Sequence, residues 1–67
     1  MTNKMAQKLI GSMLWAKKEW VNTSDQNNKI FLKGMIRAYL NVAAMNMSND
    51  ELLDFSNKTY MEGYDKE

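Results

Sequence analysis

The stretch from Ser24 to Asn46 is too apolar around its girth to be wetted on every side. At about 100° per residue, Lys29, Lys33, Arg37 and Asn41 form one narrow polar strip of a helical wheel, and Phe31, Leu32, Met35, Ile36, Ala38, Tyr39, Leu40, Val42, Ala43 and Met45 cover the rest. A helix that is apolar nearly all round has to be packed on several sides.

The chain has little with which to do that packing. Its 67 residues make one domain, 1–67, with a core of marginal strength. Small domains commonly add disulfides or a structural metal, but cysteine and histidine are both absent. Association between subunits is the remaining source of stability, so the sequence predicts a symmetric homodimer. Phe31, Gly34, Met35, Ala38, Val42 and Met45 are its expected interface, with Gly34 and Ala38 permitting close approach.

The absence of proline and the apolar spacing predict an all-α fold of three helices. The first runs over about 3–21, capped by Thr2 or Asn3, with a seam of Ala6, Leu9, Met13, Ala16 and Trp20. The second runs over 24–46 and opens on a capping box of Thr23 and Gln26. The third runs over 49–63 and opens on Ser48-Asn49-Asp50-Glu51, in which serine and glutamate satisfy each other's backbone amides. Met47 and Leu52 form its staple, and Asp50 and Glu51 face the positive end of its dipole.

The buried face of the third helix is predicted as Leu52, Leu53, Phe55, Ser56, Thr59, Tyr60 and Tyr64, and 64–67 as a frayed acidic tail. The expected assembly is a helical hairpin with the shorter third helix folded across it, a three-helix bundle. Of the seven methionines, Met5, Met13, Met35 and Met45 are expected in the core and Met61 on a polar face.

Catalysis near neutrality draws on groups with tunable proton affinity, and here only carboxylates, lysine and tyrosine are present. No serine stands in a base motif, and the three glycines form no phosphate-cradling loop. Asp50, Glu51 and Asp54 lack the glycine turn of a calcium loop. The expectation is therefore a non-enzymatic protein with no cofactor or metal.

No apolar run approaches the roughly 20 residues of a membrane span. Lys4, Gln7, Lys8, Gly11 and Ser12 interrupt any signal-peptide core, which predicts a cytoplasmic location. Eight lysines against one arginine, with eight asparagines, suit an AT-rich bacterial or phage genome.

The candidate contact surface is on the first helix. Trp15 projects from the half of the wheel opposite the seam, among Lys4, Lys8 and Lys18, and Gly11 one turn earlier leaves a notch beside the indole. A large aromatic over a notch is the form of an interface anchor; packing against the third helix or a dimer mate explains it equally well. These residues make another protein the expected partner, with the chain acting as a small regulator or inhibitor.

Nucleic acid is the second reading. Val42 to Leu53 resembles a helix-turn-helix in its order of small residue, turn and apolar helix, and either the basic face of the first helix, Lys4, Lys8 and Lys18, or the strip of Lys29, Lys33 and Arg37 would supply positive charge. Met47 stands where that motif has glycine, and Asp50, Glu51 and Asp54 would face the phosphates and repel them.

Overall fold

The computed structural model describes residues 1–66 and contains three helices: α1 (Asn3–Asn22), α2 (Gln26–Asn46) and α3 (Asn49–Lys58). The Thr2 hydroxyl opens α1 by accepting from the Met5 amide. At the other end of the hairpin the Met1 ammonium donates to the Asn46 carbonyl at 3.2 Å, so α1 and α2 lie antiparallel. The molecule measures 34 × 19 × 17 Å, the long axis being set by helices of about 30 Å.

The opening of α2 differs from expectation. Asp25, not Thr23, is the cap, its carboxylate accepting from the Asn27 amide at 3.0 Å. The Thr23 hydroxyl instead accepts from the Asp25 amide and the Asn28 side chain, and this turn delays the helix to Gln26.

The core forms where the hairpin seam meets one residue of α3. Met13, Ala16 and Trp20 of α1 pack with Leu32, Ile36 and Ala43 of α2 and Phe55 of α3. Ala6 and Leu9 complete the predicted α1 seam as half-buried residues. Ala16 and Ala43 are fully buried, and their small side chains let the two helix axes approach closely.

The start of α3 is as predicted. Ser48 and Glu51 bond reciprocally, the Glu51 carboxylate accepting from the Ser48 amide at 2.9 Å. That hydrogen bond holds the Glu51 carboxyl below its ordinary range. Met47 and Leu52 both pack against the core.

Beyond Phe55 the structure departs from the sequence reading. Helix α3 ends at Lys58, not at residue 63, because the Thr59 carbonyl that would carry the next turn accepts from the Lys17 ammonium at 2.8 Å. The Thr59 hydroxyl turns back to the Phe55 carbonyl. With the helix shortened, only one edge of it meets the hairpin: Leu53, Ser56 and Tyr60 are exposed, contrary to expectation, while Phe55 and Thr59 are buried.

Residues 64–66 are not a frayed tail; the expectation for Glu67 lies outside the described residues. A turn at Met61–Asp65 brings Tyr64 edge-on against Trp20, with ring centroids 5.0 Å apart. It also brings Asp65 to within 2.9 Å of the Lys17 ammonium, whose side chain is only 7% exposed. Met61, expected on a polar face, is half-buried in this turn. Gly63 passes so close to Val21 that an added Cβ would lie 3.1 Å from its methyl.

Two predictions follow from these contacts. Asp65→Ala leaves the Lys17 ammonium without its counterion and should lower stability by about 2 kcal/mol, read as a fall in the urea midpoint; an unchanged midpoint would mean the turn is undocked in solution. Ser48→Ala should cost about 1 kcal/mol. Because folding lowers the Glu51 pKa, its contribution is complete above the ordinary value of 4.5 and is lost as pH falls through the folded value. Acid titration of stability should therefore be shallower in Ser48→Ala over that window.

Candidate functional site

Docking α3 and the C-terminal turn on one side of the hairpin leaves its other side bare. Their contacts with α1 include Lys17, Trp20 and Val21. Trp15 lies on another side of the same helix and is 52% exposed. It shares a shallow groove with Lys8, Gly11, Ser12 and, from α2, Tyr39.

The glycine notch is real space: an added Cβ at Gly11 would meet nothing within 4 Å. A second groove continues along the hairpin past Met1, Met5, Lys8, Leu9, Ser12 and Val42. Lys8 and Ser12 line both, so the two form one surface spanning α1 and α2. Lys4 and Lys18 are exposed on α1 but line neither groove.

The sequence placed Met5 in the core; the structure puts it on this surface, exposed at 57%. It lies one turn from Leu9 on the edge of the seam that faces away from α3, where no element covers it. Tyr39 was missed as a groove residue because the contact is between helices, and one helical wheel carries no information about the other.

Around α2 from this surface runs a broader apolar face. Phe31 is 65% and Met45 83% exposed, and Val42, Gly34 and Ala38 are exposed beside them; Met35 at the margin is half-buried. Met45, expected in the core, lies opposite Ile36 on the wheel, and Ile36 is on the side that α1 occupies.

The remaining edge of α2 is cationic. Lys29 donates to the Trp20 carbonyl and sits 3.9 Å from the Trp20 ring centre, and Lys33 approaches the same ring at 5.8 Å. These ammoniums cover an indole that is 7% exposed and so belong partly to the packing of the hairpin end. Among the described residues none of Lys29, Lys33 and Arg37 has a carboxylate partner. Burial against Trp20 pushes the Tyr64 hydroxyl above its ordinary pKa, helped by the neighbouring Asp65 charge and opposed by Arg37.

Asp50, Glu51 and Asp54 are exposed on the first turns of α3. Among the described residues no three acidic groups gather in a metal-binding arrangement, and no helix is long and apolar enough to cross a membrane.

The two tryptophans should respond in opposite ways. Trp15→Ala is expected to cost less than about 1 kcal/mol and Trp20→Ala about 3–5 kcal/mol. In single-tryptophan variants, acrylamide should quench Trp15 in Trp20→Phe far more steeply than Trp20 in Trp15→Phe; equal quenching would contradict the exposed placement of Trp15.

No protein-family model, curated protein or solved structure matches this chain.

Proposed function

We propose that the chain is a small, non-enzymatic regulator that works as a homodimer and binds another protein through the Trp15 surface. The observation that carries this reading is the amount of apolar surface left uncovered. The subunit exposes 4843 Å², against roughly 4,400 Å² for a compact monomer of this mass, and Met5, Trp15, Ile30, Phe31, Val42 and Met45 are among the large apolar side chains left exposed. Contiguous faces of that kind mark interaction sites.

Two neighbouring faces have different characters, and each suits one role. The α2 face of Phe31, Gly34, Met35, Ala38, Val42 and Met45 is apolar, with Lys33 and Arg37 only at its Gly34 edge, and suits self-association. The groove of Trp15, Gly11, Lys8 and Tyr39 pairs a large aromatic with a notch and a cationic rim, to which Lys4 and Lys18 add positive charge on the same helix. This suits a partner that inserts an apolar side chain and carries acidic groups around it. A cytoplasmic regulator or inhibitor of bacterial or phage origin fits these features.

The second reading is a helix-turn-helix-like nucleic-acid binder. It rests on the unpaired cationic edge of Lys29, Lys33 and Arg37, and it is weakened by the acidic opening of α3.

Capture from a lysate of the encoding organism, on immobilised wild-type and Trp15→Ala chains of equal helicity, tests the proposal. A protein held by the wild type should bind Trp15→Ala roughly 30-fold more weakly, equivalent to about 2 kcal/mol. Undiminished retention would remove Trp15 from the contact. Affinity for a DNA duplex that collapses as salt rises would favour the second reading instead.

A further inference from the structure

We infer that two copies of this chain pair through antiparallel α2 helices, with the two-fold axis passing beside Ala38. The inference rests on the homodimer proposed above and specifies its geometry. The exposed face of α2 is Phe31, Gly34, Ala38, Val42 and Met45, spaced three, four, four and three residues apart. The spacing reads the same in both directions from Ala38.

An antiparallel two-fold requires this symmetry, because each residue meets the one equally far from the axis on the other copy. Ala38 then meets itself, Gly34 meets Val42, and Phe31 meets Met45. The sizes are matched: a residue without a side chain faces a branched one, and the aromatic faces the flexible thioether. An added Cβ at Gly34 would meet nothing within 4 Å in the subunit, so the recess there is open to the Val42 side chain of a second copy. Small residues at the centre allow the helices to approach closely.

Charge selects the same direction. Lys29, Lys33 and Arg37 lie in the first part of α2, and no charged residue follows Arg37 in the helix. A parallel pair would bring each cation beside its own copy. The antiparallel pair sets Lys29 and Lys33 beside the uncharged half, toward the end of α2 that leads into Asp50 and Glu51, and leaves only Arg37, next to the axis, near its own copy. Helix dipoles are also better matched in that direction.

Ile30, 68% exposed, and the half-buried Met35 extend the apolar stripe at its margins.

The chain has no cysteine, so a thiol introduced at one exposed position reports that position alone. Under oxidised glutathione, Ala38→Cys should convert almost wholly to a disulfide-linked dimer, since only a position beside the axis brings its two copies within bonding range. Phe31→Cys and Met45→Cys should each remain largely uncrosslinked alone, their copies being about 20 Å apart, and should crosslink to one another when mixed. Leu53→Cys, on α3, should take up glutathione as a mixed disulfide but give no linked dimer. Light scattering on the wild type reports self-association separately: a mass twice 7.8 kDa is expected.

If that mass is found but Phe31→Cys and Met45→Cys link to themselves, or Ala38→Cys does not link, the antiparallel geometry is wrong and the homodimer stands. A 7.8 kDa species at high micromolar concentration overturns both.

Discussion

A helix buries only the part of its circumference that a neighbour reaches, and in this chain α1 reaches α2 along a single stripe. Leu32, Ile36 and Ala43 are buried there, and α3 adds cover through Phe55 and Leu52. The apolar residues on the opposite side of α2 have nothing to face within one subunit. The bare apolar face of α2 is a consequence of that shortfall.

The side of the hairpin that is covered depends on Lys17. Its ammonium is held by the Thr59 carbonyl and the Asp65 carboxylate, and it lies 5.3 Å from the Tyr64 ring. A buried charge is costly unless its donors are satisfied; here the satisfied charge ends α3, fixes the turn after it and brings Tyr64 onto Trp20. By drawing α3 and the turn to one side of α1, the same contacts leave Trp15, Met5 and Val42 in the open on the other.

The proposed functions of the bare surfaces follow from their chemistry. The apolar α2 face suits a second copy of the chain, whereas the Trp15 groove combines an apolar notch with lysine and suits a different, acidic partner. The cationic edge is partly engaged in shielding Trp20, and this makes it a weaker candidate for a nucleic-acid surface than its charge alone suggests.

Local physics made much of the fold legible from the residues. The Ser48–Glu51 capping box, the Thr2 cap, the α1 seam and the class of fold all rest on interactions within one or two turns of chain, so residue order alone determines them. The Gly11 notch one turn before Trp15 was legible for the same reason, but the exposure of Trp15 was not, since packing against the third helix or a dimer mate explained the residue equally well. What the tertiary structure decided depends on which helix faces which: α3 stops at Lys58 because a lysine 42 residues away takes the Thr59 carbonyl. Met5 and Met45 lie outside the core because no element reaches their side of their helices, and Tyr39 joins Trp15 only across the hairpin. Contacts of that kind join positions far apart in the chain, and helical periodicity, which orders residues only around one axis, cannot encode them.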